Sequence, residues 1–265
     1  MRLSEANHAL ITGGASGIGL GIADALAARG LAVTIVDVDA ATLETVVFAR
    51  GAKGDGRFAG YQLDVRDREG WARIKTEAEG RFGPVDVLVN NAGIGPDGAA
   101  VADLSYESFD RIIGINLVGV FNGIHTFAAA MRERGQGHIV NTSSVAGLFS
   151  SAPGVSAYAM AKFGVTAMSE TLRAEMAPHG VGVSVLCPGF VATNIIANTA
   201  RISGVETDYD GGDLAVNAMD PRAVGELVAD AIEADEFYVL THKDVWPAIA
   251  GRHDAIAAAF AAGRE

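Results

Sequence analysis

The chain has 265 residues, 49% of them hydrophobic and 20% charged, with a formal net charge of −12 at pH 7. This length and composition support one domain over residues 1–265 with a sizeable core, and exclude a disordered chain. The acidic balance argues against a nucleic-acid binder or a protein that docks on anionic lipid, since both need a basic surface.

Strand-like apolar runs alternate with helix-like segments. The first run, 8–12, leads into Thr12-Gly-Gly-Ala-Ser-Gly-Ile-Gly19 and a helical pattern near 17–29. Gly13, Gly17 and Gly19 permit a tight turn, a close backbone approach to a pyrophosphate and close helix–strand packing, with Ser16 and Ile18 between them. The free N–H groups of the helix start would face the phosphates. A second strand, 31–37, ends on Asp37, where a carboxylate takes the adenosine ribose hydroxyls and repels a 2′-phosphate. Its sequence neighbours, Val38 and the neutral Ser16 of the turn, offer no compensating charge, so the expected cofactor is NAD.

A helix near 40–50, a strand at 58–63, a helix at 67–82 and a strand at 85–90 follow. A long helical segment at 105–134, interrupted by Gly114, Gly119 and Gly123, precedes a strand at 137–143, a helix at 156–179 and a strand at 181–187. Residues 192–219 break the rhythm and read as a substrate loop or lid, carrying Glu206, Asp208, Asp210 and Asp213. A helix at 221–234, a strand at 236–241 and a helical extension within 243–265, with its helix from Asp254 to Ala262, close the chain. The strands are rich in Val, Ile and Leu without strict alternation, as in a mainly parallel sheet covered on both faces. Seven β-α units imply an α/β, doubly wound, seven-stranded sheet.

Tyr158-Ala-Met-Ala-Lys162 sets a phenol and an ammonium on one helix face. A cation beside a phenol stabilises the phenolate, which suits proton exchange with an alcohol or ketone. The single cysteine, Cys187, allows no intrachain disulfide and is consistent with a reducing compartment. No basic-plus-apolar leader precedes the first strand and no apolar run reads as long enough to span a bilayer, so a cytoplasmic location is expected. The six histidines show no metal-ligand spacing, and no metal is expected.

With these motifs in order, residues 8 to 190 closely resemble the short-chain dehydrogenase/reductase family, and so a single Rossmann domain. The glycine turn fits the family's TGxxxGxG. Asp64-Val65 look like the pair that meets the adenine ring, and Asn90-Asn91-Ala92-Gly93 match its NNAG motif. Asn116 sits where the family has its helix asparagine, and Tyr158 and Lys162 match YxxxK. Pro188-Gly189-Phe190-Val191-Ala192-Thr193 match PGxVxT. Ser144 matches the second serine of the strand-five pair. It stands one residue farther from Tyr158 than is common, which leaves Ser143 as the alternative, with Ser144 preferred.

The resemblance implies hydride transfer between a secondary alcohol and NAD. Tyr158 would be the general acid/base and Ser144 the donor to the substrate oxygen. Lys162 would bond the nicotinamide ribose, and Asn116 would hold a water that completes a proton relay. Val191 and Thr193 would orient the carboxamide end of the cofactor. The pocket positions Ile94, Gly95, Ala146, Phe149, Phe190 and Asn194 are mostly apolar and suit an uncharged or hydrophobic substrate. The ending from Phe237 to Phe260 resembles family members that oxidise bulky aryl secondary alcohols. Alternatives are a 3-oxoacyl or other biosynthetic ketone reductase and a non-catalytic NAD-sensing protein. A homodimer through the two long helices, or a homotetramer, is expected.

Overall fold

The computed structural model describes residues 1–51, 56–150, 152–204 and 218–262. Seven strands form one parallel sheet in the order β3-β2-β1-β4-β5-β6-β7. They are β1 His8–Thr12, β2 Ala32–Asp37, β3 Phe58–Gln62, β4 Val87–Asn90, β5 Gly137–Thr142, β6 Val181–Cys187 and β7 Tyr238–Leu240. Every residue of β1, β4 and β5 is buried, which is why these strands lack a polar alternation. Strand order reverses at β1, which pairs with β2 through His8↔Ala32 to Thr12↔Val36 and with β4 through Ala9↔Val87 to Ile11↔Val89. A crevice opens beyond the carboxyl ends of β1 and β4 at this switch.

Helices α1 Gly17–Ala28, α2 Ala40–Gly51 and α3 Arg68–Phe82 follow the first three strands. After β4 come α4 Tyr106–Ile113 and α5 Gly119–Arg134, with α6 Ser156–Met176 after β5. One apolar layer joins α1 and a late helix, α8 Pro221–Ala234, through Ile22, Leu26, Val224, Val228 and Ile232. The two helices meet at glycines: a Cβ on Gly21 would lie 2.2 Å from Pro221 O, and one on Gly225 2.2 Å from Gly21 O. The other layer packs Trp71, Ile74, Ile124, Phe127 and Val165 from α3, α5 and α6.

Four expectations change. The long segment after β4 is helical throughout, but α4 and α5 are joined by a π-helical turn at Gly114–Val118. As a whole, Tyr106–Arg134 is long and apolar enough to cross a bilayer by length and composition, contrary to the reading above. Half of its most apolar stretch is buried inside this fold, where the sheet supplies the apolar surroundings. The 192–219 segment is not all irregular: Ile195–Ser203 form α7, closed by Gly204 in the left-handed conformation at φ 69°. Its acidic residues Glu206, Asp208, Asp210 and Asp213 lie outside the described residues. The final helix, α9 Trp246–Ala261, begins well before Asp254 because Pro247 fits a first helical turn.

Candidate active site

The glycine turn is built as its spacing requires. Gly13 and Gly17 adopt φ of 61° and 51°, a region costly for residues with a Cβ. A Cβ on Gly19 would stand 2.2 Å from Gly13 O, so the turn and the helix close only around hydrogen. Thr12 fastens the turn to β4: its Oγ1 accepts from Asn91 N at 2.8 Å and Ala92 N at 2.9 Å, while Asn91 Nδ2 donates to Thr12 O at 3.0 Å. Ser16 opens α1 without a capping side-chain bond, and Ser16, Gly17 and Ile18 line the cleft. Uncapped N–H groups at a helix start, on a backbone bare of side chains, fit a pyrophosphate.

At the far end of the cleft, Asp37 terminates β2. Its carboxylate accepts from Ala15 N at 3.2 Å and Asp39 N at 3.1 Å, which holds it beside the turn. Asp64 and Val65 line the wall after β3, and Arg66 donates to the Asp64 carboxylate from Nε, Nη2 and its backbone N, with Nη2 2.6 Å from Oδ2. Those bonds hold the Asp64 carboxyl below its ordinary value.

Asn91, Ala92, Gly93 and Ile94 form the middle of the cleft, opposite Tyr158 and Lys162 of α6. Lys162 is buried; its Nζ donates to Thr142 O at 2.9 Å and stands 5.6 Å from the Tyr158 ring centre. Burial is the dominant influence on this ammonium and lowers its pKa to about 8. It therefore carries its charge at neutral pH. Burial raises the Cys187 thiol to about 12, so it is an unreactive thiol behind the lysine.

Asn116 lies in the π turn, fully buried. Its Oδ1 accepts from Ile94 N at 2.8 Å and its Nδ2 donates to Ile94 O at 2.9 Å, so its side chain braces the loop after β4. The two candidate serines have different surroundings. Ser143 Oγ donates to Lys162 O at 2.8 Å and lies 2.8 Å from Thr166 Oγ1, so helix α6 occupies it. Ser144 Oγ accepts from Ala146 N at 3.1 Å and reaches Pro188 O only at 3.5 Å, which leaves its hydrogen the freer of the two.

Pro188, Thr193 and Asn194 line the cleft on the β6 side. Gly189 and Val191 act behind it: Gly189 N donates to Thr241 Oγ1 at 2.9 Å, and Val191 is bridged to Met219. Gly19 likewise shapes the turn without lining the cleft. Of the expected substrate positions, Ile94 and Asn194 line the cleft, whereas Gly95, Ala146, Phe149 and Phe190 do not. Gly95 instead donates its N–H to Thr199 Oγ1 at 2.8 Å.

Helix α7 supplies what sequence reading missed. Ile195, Asn198, Arg201 and Ile202 face the cleft, and Thr199 ties the helix to Gly95. The spacing of Ile195, Asn198 and Ile202 is helical, and that signal was available inside the presumed loop. Arg201 Nη2 comes within 3.4 Å of Asp39 Oδ2, so a guanidinium does stand near Asp37, contrary to the reading from sequence neighbours.

The family profile described as short chain dehydrogenase matches residues 7–202. A Mycobacterium tuberculosis protein named probable oxidoreductase EphD is 40% identical over 233 residues, which cover 84% of this chain and 39% of that one; the chain thus spans well under half of that relative. A C alpha-dehydrogenase of Sphingobium sp. is 33% identical over 251 residues, covering 89% and 81%. Among solved structures, a short chain dehydrogenase/reductase from Burkholderia phymatum in complex with NAD superposes with a TM-score of 0.88 at 31% identity, covering 97% of this chain and 96% of that one.

Proposed function

Because this chain belongs to the short-chain dehydrogenase family, an oxidoreductase family, we propose that it moves a hydride between NAD and an uncharged, hydrophobic secondary alcohol or its ketone. The observation that carries the reading is Tyr158 beside the buried Lys162, in one cleft with the glycine turn and Asp37. Asp37 favours NAD, and a similar structure from Burkholderia phymatum is in complex with NAD.

The bare turn from Gly13 to Gly19 would hold the pyrophosphate, Asp37 the adenosine ribose, and Asp64-Val65 the adenine side. When bound, the nicotinamide supplies the hydride acceptor. Tyr158 takes the hydroxyl proton of the alcohol, because the Lys162 ammonium stabilises the phenolate that can accept it. Ser144 donates to the substrate oxygen as charge develops there. Asn116 keeps the Ile94 peptide in position beside them, and a water near it would carry the proton onward. Ile94, Ile195 and Ile202 offer apolar walls, which suit an aryl or alicyclic group. A homo-oligomer through α5 and α6 belongs to the same reading, since Phe121 and Met160 stand exposed on these helices.

The test is a panel of aryl and alicyclic secondary alcohols and 3-oxoacyl thioesters with both cofactors, read by absorbance of the reduced nicotinamide. Aryl or alicyclic alcohols with NAD should give the highest kcat/KM. Preference for NADP, or for the thioesters, overturns the reading. Asp37→Ala should narrow the NAD preference by about tenfold, equivalent to ~1.4 kcal/mol.

A further inference from the structure

The adenosine end of the cleft carries more charge than Asp37. Asp39, two residues on, caps α2: its Oδ1 accepts from Thr42 N at 3.2 Å and its Oδ2 from Thr42 Oγ1 at 2.9 Å. Its outer face meets Arg201, which arrives from α7, more than 160 residues later in the chain. Arg201 shares the cleft lining with Asp37 and Val38. The other guanidinium on this wall, Arg66, is already doubly bonded to Asp64.

The Asp39–Arg201 side chains are 27% and 50% exposed, and an ion pair so open to water contributes about 0–1 kcal/mol. It is too weak to matter for folding. Its effect on a phosphate is different. One guanidinium, Arg201, shares this corner with the carboxylates of Asp37 and Asp39, and the corner is net negative. A 2′-phosphate, a dianion at neutral pH, could recruit Arg201 only by leaving Asp39 unpaired against it.

We propose that Asp39 and Arg201 form a second cofactor selector, in which Asp39 occupies Arg201 and denies it to a 2′-phosphate. This rests on the cofactor reading above, and adds that selectivity is shared between β2 and the roof helix α7. Removing the Asp39 charge releases a cation at the adenosine end.

Direct binding separates these claims. Dissociation constants for NADH and NADPH are measured by cofactor fluorescence in the wild type, Asp39→Asn, Arg201→Ala and the double variant. Asparagine keeps an acceptor for the α2 cap, so the helix start survives. Wild type should bind NADH more tightly; the opposite order defeats the NAD reading itself. Asp39→Asn should lower the NADPH-to-NADH ratio of dissociation constants by about tenfold, ~1.4 kcal/mol. Arg201→Ala alone should change it less than about threefold, and adding it to Asp39→Asn should cancel the gain. A gain that persists in the double variant means simple repulsion by Asp39 and overturns the selector, as does an unchanged ratio in Asp39→Asn.

Discussion

The turn after β1 and the helix α7 hold opposite sides of one cleft by different means. The turn is a close-packed glycine backbone, fastened by two side chains at the ends of buried strands. Glycines set its curvature, Thr12 and Asn91 knit it to β4, and buried strands lie beneath it. Helix α7 rests on side chains: Ile202 against the apolar layer, the Thr199 hydroxyl on the Gly95 peptide, and Arg201 on Asp39 at the rim. Close glycine packing permits almost no alternative position, whereas a few side-chain contacts can be broken singly. The difference suggests that phosphate binding belongs to the fixed side, and that selection and access belong to the suspended side.

The most severe test strikes the chemistry proposed for α6, outside both sides of the comparison. Tyr158→Phe should lower kcat by at least about 10²–10⁴-fold, the usual weight of a positioned acid/base. NADH affinity should stay within about threefold, and substantial remaining turnover would exclude this base. Next comes the turn itself. In Gly19→Ala the new methyl collides with Gly13 O, so about 1–3 kcal/mol of stability should be lost, with weakened NADH binding. An unchanged urea midpoint with full NADH affinity would show that the turn is not rigid. Thr199→Val should cost only about 0.5–1.5 kcal/mol, because the Gly95 N–H can reach water if α7 lifts. Its signature is a raised KM for alcohol with the unfolding midpoint lowered less than in Gly19→Ala. Equal losses of stability in the glycine and threonine variants would erase the contrast between the two sides.

The gentlest test uses a group remote from both. His138 opens β5 at the end of the sheet away from the cleft, with Nε2 2.8 Å from Ser184 Oγ. Burial lowers its pKa from 6.5 to about 3 in the fold. The unfolded chain therefore takes up the proton first. The stability tied to neutral His138 is complete above about pH 6.5 and drains away as pH falls from there towards 3. Urea midpoints should be flat near neutrality and decline below pH 6.5, with a shallower decline in His138→Gln. Identical slopes would remove His138 as the cause; His8, also buried with a lowered pKa, would then be the next group to replace.

The same contrast governs how much the sequence revealed. The sheet and the fixed side of the cleft were readable because each residue's local requirement coincides with its role. Gly13 and Gly17 need their conformations, Gly19 needs to lack a Cβ, and Asn91 follows its own strand. Unbroken apolar runs such as Leu88-Val89 mark strands covered on both faces. The suspended side was not readable, because its geometry depends on partners far away in the chain. Nothing near Asp39 announces Arg201, and nothing near Gly95 announces Thr199. The spacing to Tyr158 leaves Ser143 beside the preferred Ser144, and the fold divides their attributes: Ser143 lines the cleft but is engaged by α6, whereas Ser144 has the freer hydrogen without lining it. Phe149 and Phe190 had suitable chemistry and suitable sequence positions, yet chain direction after β5 and β6 leaves them off the cleft wall.

The π turn between α4 and α5 has a consequence for chain length. The buried face runs through Ser108, Ile112, Ile115, Asn116, Gly119, Val120, Asn122, Gly123, Ile124, Phe127 and Met131, and steps of four recur along it, as from Ile112 to Asn116, Val120 and Ile124. A regular helix repeats every 3.6 residues, so such a stripe would spiral off the sheet well before its end. The wider turn at Gly114–Val118 absorbs the surplus and works as a vernier between two scales. Insertions and deletions here should thus be unequal in kind to those in surface loops. Losing one residue would mend the hydrogen-bond ladder while swinging Phe127 and Met131 about 100° around the axis, trading a tidier helix for a misaligned domain.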